Sequence, residues 1–299
     1  MTTALVLGAG GLTGGAFHAG VLQGLLDGGW DAADAGLIVG TSAGSSTGAT
    51  LRAGIPVTDH YADQTGQPVS AETEARRRDL PPRLDFAAPV APADRRPLDL
   101  AFGSRAFLRR GQPRLGLLFG GLQPRGRMDT LRIAARIDGI HEGVPWPEAP
   151  LWIGAVRVRD GRLRVFGREP SDATVGLAVA ASSAVPGLLA PVAIDGAEHV
   201  DGAVHSPTNL DLLVGMGFDR VVVVAPMSGS TDWRQAARAY HTRLLHREAD
   251  AVRRSGTEVI LIEPDAATLE VMGDDAMRPG LEQEVAVCAR RQGAAVTWP

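Results

Sequence analysis

The sequence contains no lysine; all 30 of its basic residues are arginine. We read that bias first as codon usage and only then as function. It has one cysteine, Cys288, which excludes an intrachain disulfide and fits a reducing, cytoplasmic setting. No cluster of Cys and His at metal-ligand spacing occurs, so no metal site is expected. No apolar run approaches the roughly 18 residues that a membrane-spanning helix needs. The opening "MTTALVLGAGG" lacks a basic n-region and reads as a first strand, not as a signal peptide. The formal net charge of -4 gives no electrostatic reason to expect a nucleic-acid partner.

What is present is ordinary globular composition: 299 residues, 44% hydrophobic and 21% charged. Strand and helix patterns alternate at the start. Residues 3–7 read as a buried strand, about 14–27 as a helix with Phe17, Val21, Leu22, Leu25 and Leu26 at helical spacing, 37–39 as a strand and 43–52 as a helix. That alternation predicts an α/β fold in which helices cover a parallel sheet. From about 55 to 100 prolines interrupt the pattern, and we expect an irregular stretch there. We expect one domain over 1–299 with a cap or insertion at about 55–128. Further on, "LWIGAVRV" and "RLRVFG" flank Asp160-Gly161 as a hairpin. "SDATVGLAVAASSA" reads as a helix capped by Ser171 or Asp172. "SPTNLDLLVGMG" reads as a helix with Ser206 at the N-cap and Gly217 ending it. "RVVVVAP" reads as a central strand.

Two stretches carry chemistry. In "LGAGGLTGGAFHAGVL" glycines sit at a turn into a helix. A dinucleotide-binding loop has that form, but it also needs an acid at the end of the second strand. Here the second strand runs instead into "VGTSAG". Backbone N–H groups of the same turn can also hold a developing oxyanion, and a plain tight turn is the third reading. In "VGTSAGS", Ser42 lies between Gly40 and Gly44, after a strand and before a helix. That is the context of a nucleophile elbow, although Ser42 also reads as a simple N-cap. No histidine stands in a special setting. His241 and His246 read as surface residues of an arginine-rich helix, His18 as packing beside the elbow, and His205 carries no distinguishing context. An aspartate can act as base if it is held close and partly desolvated. Asp201 in "HVDGAVHSPTN" has small neighbours that would let another loop approach it; a D-G turn is the alternative, and Asp195-Gly196 reads as only that.

Taken together these stretches resemble the patatin-like phospholipase family. "GAGGLTGGAFHAGVL" resembles its glycine-rich segment, "VGTSAGS" its elbow, "ASSAVPGLLAPV" its third block and "DGAVHSPTN" its D-G-[GA] block, in the family's order. The resemblance implies a three-layer patatin-like fold, mostly parallel, with helices on both faces. It implies a serine acyl hydrolase for lipid or other carboxylic esters, with no cofactor and no metal. Ser42 would be the nucleophile, Asp201 the base, and the amides around Gly10, Gly11 and Leu12 the oxyanion hole. One departure stands out. The arginine or lysine that the family carries before the glycine opening the helix is Gly14 here. A nucleotide-binding reductase and a non-catalytic acyl-chain binder are the competing functions. Finally, residues 102–127 interleave arginines (Arg105, Arg109, Arg110, Arg114, Arg125, Arg127) with Phe and Leu. That suits peripheral contact with an anionic lipid surface, or a packed helix with a solvated arginine face.

Overall fold

The computed structural model describes residues 1–86 and 115–297. Its centre is one mixed sheet. The strands are β1 (Thr3–Leu7), β2 (Leu37–Gly40), β3 (Leu151–Arg157), β4 (Leu163–Phe166), β5 (Val192–Ile194), β6 (Ala197–Asp201), β7 (Arg220–Val224) and β8 (Glu258–Ile262). They run in the order β5-β6-β3-β2-β1-β7-β8, with β4 also paired to β3. The pairs from β3 through β8 along that path are parallel, whereas β4, β5 and β6 join antiparallel.

Past their first residues, Thr3 and Arg220, β1 and β7 are apolar at every position because both faces are covered. Leu5, Leu7, Val222 and Val224 point into one core, with Phe17, Leu22 and Leu25 of α1 (Gly11–Asp27) and Val285 of α10 (Glu282–Ala294). Ala4, Val6, Val221 and Val223 point into the other, with Leu245, Ala249 and Val252 of α8 (Ala236–Arg254). The result is the expected three-layer α/β arrangement.

Helix α1 carries the glycine-rich turn at its N-terminus and rests on α10. Their backbones nearly touch: a Cβ built on Gly20 would lie 2.2 Å from the Ala286 carbonyl oxygen, and one on Gly24 2.2 Å from that of Arg290. Relief would require moving a helix, since both obstacles are backbone atoms. Gly24→Ala is expected to destabilise the fold by about 1–3 kcal/mol, the usual range for overpacking. A urea midpoint equal to that of the unaltered protein would contradict this account.

Three expectations need correction. The stretch after residue 55 is regular over much of its described length, with 78–86 outside any helix. It forms α3 (Val57–Gln64) and α4 (Ala71–Arg77), and α3 contributes Val57 and Tyr61 to the first core. The described prolines fall outside the helices: Pro56 precedes α3, Pro68 separates the two, and Pro81 and Pro82 follow α4. Helix α7 (Val175–Ser182) is capped by Thr174, whose hydroxyl accepts from the Leu177 N–H, and not by Ser171 or Asp172. Residues 206–217 form only a 3-10 turn, Leu210–Leu213. Ser206 does act as a cap, accepting from the Asn209 N–H at 3.0 Å, but Asn209 then turns left-handed at φ 51 and no α-helix can propagate. Helix α6 (Leu131–Ile140) has Thr130 at its N-cap, and the carboxylate of Asp129 accepts from the Leu131 N–H.

Candidate active site

Parallel pairing of β1 with β2 sets Leu7 beside Gly40, so the glycine turn and the Ser42 turn leave the sheet at the same end. Helix α2 (Ala43–Arg52) begins directly after Ser42. The turn is tight: the Thr41 N–H donates to the Leu7 carbonyl at 3.0 Å and the Gly44 N–H to the Thr41 carbonyl at 2.9 Å. A Cβ on Gly44 would lie 2.0 Å from the Leu7 carbonyl oxygen, which explains the glycine. Ser42 itself has φ 54 and ψ -121, a region costly for any residue with a side chain. Its hydroxyl makes no capping bond, so the N-cap reading does not apply.

Asp201 reaches this serine through β3. Along one edge β3 pairs with β4, Ile153 opposite Phe166 and Ala155 opposite Arg164. Along the other edge Gly40 of β2 lies opposite Ile153, and Asp201 of β6 lies opposite Ala155. The ends of β2 and β6 therefore meet head on, two residues apart on a shared partner. The Ser42 hydroxyl donates to Asp201 Oδ2 at 2.7 Å, and Asp201 Oδ1 accepts the Ala203 N–H at 2.8 Å. Both side chains are buried, Ser42 6% and Asp201 3% exposed. Burial pushes the Asp201 carboxyl up to about 7, against the opposing pull of the Ser42 and Ala203 hydrogen bonds. The small residues after Asp201 have a use as well, because a Cβ on Gly202 would lie 2.3 Å from the Gly154 carbonyl oxygen.

The structure also brings in a residue that sequence reasoning left without a role. Ser182, at the end of α7, accepts the Ser42 N–H at 2.9 Å and donates to the Gly154 carbonyl at 2.7 Å. It lies in the serine-rich block "ASSAVP", the only sequence signal for it.

At the glycine turn, Gly10 is extended (φ 177) and Gly11 left-handed (φ 61). The Thr13 N–H donates to the Ala276 carbonyl and the Gly14 N–H to that of Gly10. Among the described residues the Gly10, Gly11 and Leu12 N–H groups at this helix N-terminus make no backbone hydrogen bond. A side chain at position 14 would start 3.3 Å from the Pro226 ring.

The histidines lie elsewhere. His205 Nδ1 contacts Asn209 Oδ1 at 2.9 Å, and His246 is exposed and paired with Glu263. His241 is not a surface residue but half-buried, and burial lowers it to about 4. His18 is fully buried, packs toward Thr47, and is lowered to about 3 by burial. Among the described residues no group of three or more His, Cys, Asp or Glu side chains converges as a metal would require. No described helix is long and apolar enough to cross a membrane.

Of the arginine-rich stretch, residues 102–114 lie outside the described residues, including Arg105, Arg109, Arg110 and Arg114. Helix α5 (Leu115–Leu122) is described, with Phe119 and Leu122 exposed. Arg125 is tied to Glu198.

A strained serine between strand and helix thus carries a buried carboxylate on its hydroxyl, at the same end of the sheet as the start of α1. Comparison with known proteins gives the family. Residues 5–214 match the patatin-like phospholipase model, and the chain belongs to that family. No curated protein matches the chain. Among solved structures it is similar to VipD from Legionella pneumophila, at 12% identity and a TM-score of 0.46, over 98% of this chain and 65% of that one. It is also similar to the type III effector protein ExoU, at 18% identity and a TM-score of 0.38, over 98% of this chain and 52% of that one. The chain thus spans less than two thirds of the length of either.

Proposed function

We propose that this chain is a serine acyl hydrolase that cleaves carboxylic esters of lipids through a Ser42–Asp201 dyad. The observation that carries the proposal is the 2.7 Å hydrogen bond from a strained, buried serine to a carboxylate whose proton affinity is raised toward neutrality. A base with a pKa near the working pH is well matched to proton transfer. In this reading the Asp201 carboxylate takes the Ser42 proton as Oγ attacks the ester carbonyl. Charge develops on the carbonyl oxygen, where the Gly10, Gly11 and Leu12 amides are the candidate donors. The C–O bond to the alcohol then breaks, and Asp201 returns the proton to the departing oxygen. Water repeats the sequence on the acyl-enzyme: Asp201 takes a proton from it, the acid leaves, and Ser42 recovers its hydrogen.

The amides sit at a helix N-terminus, which favours negative charge even without a cation at position 14. Lipid as the substrate class follows from the family. The exposed Phe119 and Leu122 on α5, beside a basic stretch, favour peripheral contact with a lipid surface.

The test is covalent labelling. A fluorophosphonate probe should modify the protein at Ser42, and p-nitrophenyl esters should be hydrolysed at a rate that the probe abolishes. A folded protein that neither labels nor turns over ester would favour the non-catalytic acyl-chain binder.

A further inference from the structure

The Ser42–Asp201 hydrogen bond has a weakness as a positioning device: it disappears once Ser42 is acylated, because Oγ then has no proton to donate. Yet Asp201 must remain over the same atom to activate water. A second bridge joins the two segments without using either dyad member. Asn209 Nδ2 donates to Thr41 Oγ1 at 2.9 Å and to the Ser206 carbonyl at 2.9 Å. Thr41 precedes Ser42 and is fully buried; its methyl faces Gly202, the residue after Asp201, where a Cβ would stand 3.1 Å away.

The far end of the bridge is anchored independently of the sheet. Buried Glu248 of α8 accepts from Ser206 Oγ at 3.0 Å, Thr208 Oγ1 at 3.1 Å and the Leu210 N–H at 3.2 Å. Ser206 Oγ in turn accepts the Asn209 N–H. Asn209 holds a left-handed backbone (φ 51, ψ 34), which asparagine tolerates better than most residues. One carboxylate therefore sets the shape of the loop that follows Asp201, and one side chain of that loop grips the elbow.

We infer that Asn209 and Thr41 are positioning residues for the second half-reaction, keeping Asp201 in register with the acylated Ser42. The inference rests on the dyad reading above. It assigns the bridge a larger share in deacylation than in acylation, since the free enzyme also has the dyad hydrogen bond.

The experiment compares Thr41→Val, which keeps the shape and removes the acceptor, with Thr41→Ser, which restores a hydroxyl. Asn209→Gly is the second variant, because glycine keeps the left-handed backbone without strain. Fluorophosphonate labelling reports activation of Ser42 alone; steady-state p-nitrophenyl ester turnover reports the whole cycle; intact mass spectrometry of quenched reactions detects acyl adduct. Thr41→Val and Asn209→Gly should label within about threefold of the unaltered protein. Their turnover should fall by about tenfold or more, a part of the roughly 10²–10⁴-fold that general-base catalysis supplies, and acyl adduct should accumulate. Thr41→Ser should recover turnover. A parallel fall in labelling and turnover, or no fall in either, overturns the inference while leaving the hydrolase reading intact. Failure of the unaltered protein to label and turn over would instead remove that reading, and this one with it.

Discussion

Ser42→Ala is expected to lower ester turnover by at least about a thousandfold, the scale on which loss of a nucleophile acts, and to eliminate fluorophosphonate labelling. The fold should survive, because the serine hydroxyl has one partner, Asp201 Oδ2, and alanine fits the same space. Asp201 will hold its proton more tightly in this variant, since the Ser42 hydrogen bond is one of the two influences that lower its pKa. Ser42→Gly makes a useful companion. With φ 54 and ψ -121 the position strains any side chain, so glycine should be more stable than alanine there by about 1 kcal/mol or more. Equal stability of the two variants would show the elbow to be unstrained. Near-normal turnover by folded Ser42→Ala would sink the hydrolase proposal.

Asp201→Asn should reduce turnover by about a hundredfold or more and at the same time stabilise the protein at alkaline pH. The amide keeps the shape but cannot take a proton. The stability effect has a definite sign. The folded carboxyl is raised from 3.8 to about 7 by burial. Between those values the folded state keeps a proton that the unfolded chain releases, so each rise in pH removes stability. The loss is complete above about 7 and absent below the unfolded value. A shift of that size corresponds to an upper bound of about 4 kcal/mol. The melting temperature of Asp201→Asn should therefore match that of the unaltered protein near pH 4, exceed it progressively from there to pH 7, and keep a constant margin beyond. Catalysis should follow the same group in the opposite sense. The kcat/KM of the unaltered protein should climb with pH and level off above about 7, as the carboxylate form becomes available. A flat profile from pH 5 to 9 would mean that another group takes the proton. His205→Ala should cost less than Asp201→Asn, since the Ser42 hydroxyl bonds Asp201 and the His205 ring acts at most through Asn209.

The strands and the elbow were legible because their signals are local. Short apolar runs define β1, β2 and β7, with glycine closing the first two, and a serine between Gly40 and Gly44 marks the turn between β2 and α2. The meeting of Ser42 and Asp201 was approached through motif order, not geometry. What joins them is an edge of β3 shared by two strands of opposite direction, and nothing in either segment announces that. Ser182 was hidden for the same reason: its partners are 140 and 28 residues away. The loop at 206–217 misled because Ser206 caps as a helix N-cap does. The left-handed Asn209 and the pull of Glu248 on the Leu210 N–H, which divert it, depend on tertiary contacts.

The close crossing of α1 and α10 has a temporal consequence. The glycines of α1 meet backbone of α10 more than 260 residues later in the chain, with Gly20 against Ala286 and Gly24 against Arg290. During synthesis the helix that opens on the glycine turn must wait for this packing partner until α10 has been made. At about 5–20 residues per second that interval is on the order of tens of seconds. Over that time β1, β2 and the elbow can pair and α1 can pack on the sheet, but the glycine face of α1 stays uncovered. Completion of α10 is thus the event that locks α1.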